Sequence, residues 1–163
     1  MYLSKFRLYS QAYHEYIHLF FGLVSFFISL GLTGSHQIFF LFALSLFFTF
    51  FPDLDHLFFV FIYGRGTKYS QDIRHLLGLR QLTNCLHYCR SNHKNNQFIL
   101  SHNLFSFGLS FLIALSAHLS HHDFILASAL AVFFHFLFDI IEDYLFLGRL
   151  NPNWLLQFSK KSL

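Results

Sequence analysis

The sequence predicts an all-α, polytopic membrane protein with about four transmembrane helices and a cytoplasmic loop between the second and the third. Three observations carry this. Of 163 residues, 55% are hydrophobic and 12% charged, with Phe at 26 positions, whereas a soluble domain is about 25% charged. The apolar residues fall into four runs, 17–32, 38–51, 98–117 and 124–147. The Lys and Arg residues sit on alternate sides of those runs. The length fits a single integral membrane domain, 1–163, without a separate soluble catalytic module.

The first run is followed by Thr33-Gly34-Ser35-His36 with no small-x-small cleavage site, so it is expected in the mature chain and not as a signal peptide. The second covers only about 21 Å at 1.5 Å per residue. It is therefore expected to borrow flanking residues, to thin the bilayer or to form a shallow hairpin with the first. Its apolar extension, 57–63, is expected along the interface. The third and fourth runs reach the roughly 20 residues that cross a hydrocarbon core. Lys5 and Arg7 precede the first run; Arg65, Lys68, Arg74, Arg80, Arg90 and Lys94 fall in the 64–97 loop; Arg149, Lys160 and Lys161 follow the fourth. The two remaining connections, 33–37 and 118–123, carry no Lys or Arg. By the positive-inside rule both termini and the long loop are cytoplasmic.

The net charge is +3 with neutral His. The basic residues are scattered among apolar runs, not aligned on one polar face, so no nucleic-acid partner is expected; the expected partner is the lipid bilayer. Cys85 and Cys89 are too few for a disulfide scaffold. With His93 they share a helix face at i, i+4 and i+8, but without the C-x-x-C knuckle of a zinc site. Gly64-Arg65-Gly66-Thr67 lacks the pattern of a phosphate loop and no evident helix start follows it. His118, His121 and His122 with Asp123 are expected in a solvated loop on the opposite side of the membrane.

An ionisable group within a membrane span costs at least a few kcal/mol, so it normally faces a partner or a cavity. Here such groups share one depth. His18 opens the first span, Asp53, Asp55 and His56 end the second, His102 opens the third, and His135, Asp139, Glu142 and Asp143 occupy the last half of the fourth. All fall on the cytoplasmic half, as a metal site requires. His135, Asp139 and Asp143 lie at i, i+4 and i+8, one helix face. At Pro52-Asp53-Leu54-Asp55-His56 the proline ends or kinks the helix, and an extended chain would point Asp53 and Asp55 the same way. Asp suits Mg²⁺, Mn²⁺ or Zn²⁺, and His turns the choice toward a transition metal, so zinc or manganese is the expected ion. Simpler roles also fit these residues: a helix stop with Asx-type bonds at 52–56, a helix-joining buried pair at His135 and Asp139, and an interfacial His18.

Four elements resemble, in order, those of a family of small bacterial inner-membrane proteins described as metal-dependent hydrolases, the YdjM-like group. Ile17-His18-Leu19-Phe20-Phe21-Gly22 is similar to its T-H-x-x-x-G, Pro52-Asp53-Leu54-Asp55-His56 to its P-D-[IL]-D-H, Ser101-His102-Asn103 to its T-H-S, and His135-Phe136-Leu137-Phe138-Asp139 to its H-x-x-x-D. The match spans about 17–143. Gln97 and Phe98 stand where the family carries a His-Arg pair, which removes an obvious anion clamp.

Together these readings predict a membrane-bound metal-dependent hydrolase at the cytoplasmic face. Asp53, Asp55, His102, His135 and Asp139, with His18, are expected to hold one or two ions, which generate hydroxide from bound water. His56 or Asp143 is expected to orient a ligand or move a proton. Headgroup depth points to an amphiphilic or phosphorylated substrate such as a phospholipid or lipid-linked phosphate ester. The alternative is a non-catalytic membrane protein, either a metal or proton carrier or a structural partner whose basic loop docks on anionic lipid.

Overall fold

The computed structural model describes residues 2–92 and 99–155, with the side chains at 2–8, 10 and 11 left aside. His93, Lys94, Gln97, Phe98, Lys160, Lys161 and the side chains of Lys5 and Arg7 thus lie outside the described residues. Those residues form only helices and turns: α1 (Tyr2–Thr33), α2 (Ile38–Phe50), a 3₁₀ turn (Phe51–Asp53), α3 (Leu54–Phe58), a π-helical turn (Phe59–Tyr63), α4 (Lys68–Gly78), α5 (Leu82–Asn92), α6 (Leu104–Leu119), α7 (Asp123–Leu147) and a final 3₁₀ turn (Pro152–Trp154).

Three helical stretches are long and apolar enough to cross a membrane: Ala12–Thr33, Ile38–Tyr63 and Asp123–Leu147. Two are the runs that looked short. The first gains a turn at its N-terminal side, where Tyr13 (φ −118°, ψ 16°) marks a kink. The second does not stop at the proline. Pro52 occupies the first turn of a new helical segment, where its missing N–H has no intrahelical acceptor to lose. The helix therefore runs on to Tyr63, and the expectation of an extended chain at 52–56 is corrected. The third run contracts instead. Asn103 is in the β region (φ −143°, ψ 162°) and its side chain accepts from the Ser106 N–H, so α6 starts at Leu104 and is 16 residues long, about 24 Å.

The 64–92 segment is also ordered. Thr67 caps α4 by accepting from the Ser70 N–H, a helix start not evident in the sequence. Phe59, Val60, Ile73, Cys85 and Ile99 form a small core that docks α4 and α5 against the π-helical turn. Gly64 is needed there, since a Cβ would lie 2.6 Å from the Phe59 ring.

α7 is the centre of the bundle and packs against α1, α2 and α6. Its small residues allow the close approach typical of membrane helices: Ala127 meets Phe26 and Leu41, and Ala129 meets Ala114 and Ala117. Outward-facing Phe27, Phe39 and Phe105 are 64%, 75% and 62% exposed, the apolar surface a bilayer covers. Gly34 (φ 60°) closes α1 through its N–H to the Leu30 carbonyl, turning the chain back into α2. Since α1, α2, α6 and α7 alternate in direction, residues near the start of α1, after α2, before α6 and late in α7 meet at one end.

Candidate metal centre

His135, at that end of α7, is fully buried, and its Nδ1 lies 2.7 Å from the Thr49 carbonyl oxygen. A carbonyl only accepts, so Nδ1 carries a proton and Nε2 faces inward toward Asp139. Thr49 is fixed in turn by donating its hydroxyl to the His18 carbonyl (3.1 Å). Gly22, one turn beyond His18, makes this possible. A Cβ there would stand 3.1 Å from Thr49 Cγ2 and 3.2 Å from Leu46 Cδ2.

His102 is oriented the same way from the opposite side. The Ser101 hydroxyl donates to the Pro52 carbonyl (3.4 Å) and lies 2.9 Å from His102 Nδ1. Nε2 of His102 likewise faces inward, toward Asp139. Asp139, one turn after His135 on α7, completes a triangle. Its Oδ2 lies 3.2 Å from His102 Nε2 and 3.2 Å from His135 Nε2, and the two Nε2 atoms are 3.4 Å apart.

Two imidazole nitrogens and a carboxylate oxygen thus converge in a buried site, an arrangement that shared protons or a cation must stabilise. The spacing fits the cation. A tetrahedral zinc site with bonds of 2.0–2.1 Å has ligand-to-ligand edges of about 3.3–3.4 Å, and two His with one carboxylate is a zinc-hydrolase donor set.

The site extends in both directions. Asp139 Oδ1 has no hydrogen-bond partner and lies 3.3 Å from His18 Nε2; that nitrogen lies 3.0 Å from His14 Nε2. His14 Nδ1 lies 3.3 Å from Glu142 Oε2. On the other side, Asp53 Oδ1 is 3.8 Å from His135 Nε2 and 4.0 Å from His56 Nε2. Among the described residues, four overlapping groups have donor atoms mutually within 4.8 Å: His14, His18 and Asp139; His18, Asp53 and His135; Asp53, His56 and His102; His102, His135 and Asp139. Asp139 belongs to two of them, with one oxygen near His18 and the other near His102 and His135.

The structure therefore brings together His18, Asp53, His56, His102, His135 and Asp139. Asp55 it places elsewhere. On a helix, residues two apart point in different directions, and the Asp55 carboxylate accepts from the Ser101 N–H (2.5 Å) and the Tyr63 hydroxyl (2.7 Å). It fastens the turn that carries His102. Asp143 faces the polar cavity beside the cluster, of about 40 Å³, large enough for an ion or a water; its Oδ2 accepts from the Trp154 indole N–H (2.8 Å).

Sequence reasoning passed over His14 and gave Glu142 no part in the site. Their signal was the helical period: His14 lies four residues before His18 and Glu142 three after Asp139. The turn after α7 was missed entirely. There Trp154 is buried, and the Asn153 side-chain oxygen accepts from the Ile99 N–H (2.9 Å). Cys85 and Cys89 are free thiols on α5. His121, His122 and Asp123 lie at the opposite end of α7, about 24 Å from Asp139 along the axis.

Comparison with protein-family models, curated proteins and solved structures yields no match, so the likeness to the YdjM-like group rests on the four motifs themselves.

Proposed function

We propose that this chain is a membrane-bound, divalent-metal-dependent hydrolase of the YdjM-like kind, with its site at the cytoplasmic face and α6 as a short fourth span. The single observation that supports this best is the triangle of His102 Nε2, His135 Nε2 and Asp139 Oδ2, whose 3.2, 3.2 and 3.4 Å edges match a tetrahedral ligand face. Zinc is the expected ion, manganese the next. Asp139 Oδ1, His18 and His14 provide a second position on the same carboxylate, and Asp53 the opposite wall.

A divalent ion held by His102, His135 and Asp139 would supply Lewis acidity to a phosphoryl or carbonyl oxygen and to water. The protein's own contribution is orientation and proton handling. Thr49 and Ser101 hold the two imidazoles with Nε2 toward the site. His56, 30% exposed at its side chain, is placed at the rim to carry a proton between the cavity and solvent. Burial of His18, His135 and Asp139 strengthens each charge interaction among them.

Carriage of ions or protons across the membrane has less support. Deeper in the bundle, among the described residues, the buried polar groups include only hydroxyls such as Ser25 and Ser29, bonded to the Phe21 and Ser25 carbonyls, and Ser45.

Turnover of a phosphate-ester panel that includes lipid phosphates, by the detergent-purified chain, tests the reading. Hydrolysis abolished by chelator, restored by zinc and lost in a folded Asp139→Asn variant is the expected result. Turnover equal in wild type and variant would overturn it.

A further inference from the structure

Beside the polar cavity lies an apolar groove of about 390 Å³, within the roughly 300–1,000 Å³ range of small-molecule sites. Its walls are Val60 and Phe61 from the segment after Pro52, Ile73 and Leu77 from α4, and Cys85 and Cys89 from α5. At one end it is bounded by His14, Asp53 and His56, which also line the polar cavity. Oil-lined space and ligand cluster are thus continuous through three shared residues.

α4 and α5 dock through Phe59, Val60, Ile73, Cys85 and Ile99, and the Glu15–Arg90 pair (3.0 Å) ties α5 to α1 at the rim. What the arrangement fits is a molecule with one long hydrocarbon chain and an oxygen-rich head. A methylene moved from water into such a space gains about 0.8 kcal/mol, whereas the head needs the polar end.

We propose that the α4–α5 groove binds the single alkyl chain of an amphiphilic phosphate ester and delivers its head to the His102–His135–Asp139 centre. This names the substrate class and rests on the hydrolase reading above. α4 and α5 are then the specificity element, and chain length, not head alone, sets affinity.

Cys89, half-buried in the wall, reports occupancy without any substitution. The full chain in phosphatidylcholine nanodiscs is treated with a membrane-permeant maleimide, with dodecyl phosphate, butyl phosphate or neither present. Protection scales as 1 + [L]/Kd, so dodecyl phosphate at ten times its Kd should slow Cys89 alkylation about tenfold. Butyl phosphate at the same concentration should leave the rate unchanged. Leu77→Trp, which fills the groove, should abolish protection with metal content unaltered.

Equal rates with and without dodecyl phosphate on metal-loaded wild type would overturn the proposal, as would protection that survives Leu77→Trp. Failure of the hydrolase reading looks different: chain-length-dependent protection would persist unchanged after chelation and in Asp139→Asn.

Discussion

At the residue scale, the site is defined by which nitrogen of each imidazole carries the proton. The Thr49 carbonyl holds a proton on His135 Nδ1, and the Ser101 hydroxyl sits 2.9 Å from His102 Nδ1. Such outer partners typically contribute 10–100-fold to metal affinity. Ser101→Ala is therefore expected to weaken zinc binding about 10–100-fold with the fold retained, read by competition with a chromogenic chelator. Unchanged affinity would mean that His102 is oriented by other means. The sequence made the ligand types legible, because an ionisable group at membrane depth demands a partner. It did not show that Asp55 turns away, since that depends on whether 52–56 is extended or helical. Nor did it reveal Ser101 as an orienting group, because a hydroxyl beside a histidine has no distinctive spacing.

At the scale of elements, α1 and α2 must approach closely for Thr49 to reach both His18 and His135. Gly22 permits this. Gly22→Val is expected to destabilise the bundle by about 1–3 kcal/mol, the usual range for overpacking, and to weaken metal binding in parallel; unfolding in detergent and metal titration read the two effects. Stability without change would contradict the close approach. The α4–α5 pair offers a separate handle. The Tyr88 hydroxyl donates to Asp72 (2.6 Å), and this bond raises the phenol from its ordinary 10 to about 12. A raised acid is held protonated by the fold, so its support is intact below pH 10 and is lost as pH rises from there through about 12. The wild-type minus Tyr88→Phe difference in tyrosinate absorbance should show that late titration.

The same scale explains the misjudged run lengths. Hydropathy located all four runs, but helix ends are set by local chemistry that averages miss. Pro52 in a first turn lengthened one helix, and the Asn103 cap shortened another.

At the scale of the whole molecule, the buried ionisable groups collect at one end, whereas His121 and His122 at the other end are exposed, so the buried chemistry is one-sided. Topology then follows from the basic residues: the 64–92 segment should lie on the cytoplasmic side. Membrane-impermeant labelling of Cys residues placed at Gly66 and Ser35 should mark them on opposite faces. Labelling of both from one side would contradict that topology. This one-sidedness was legible in the sequence, whereas the groove between α4, α5 and the site was not, because it arises from packing between segments distant along the chain.

The central claim is that the buried His and Asp atoms hold a metal ion. Elemental mass spectrometry of the detergent-purified chain, wild type beside folded Asp139→Asn and His135→Ala variants, tests it most directly. Stoichiometric zinc in the wild type and its loss from both variants is the predicted result. A wild-type chain that holds no transition metal even after reloading with zinc or manganese would contradict it, leaving protons between these groups as the cations that stabilise them.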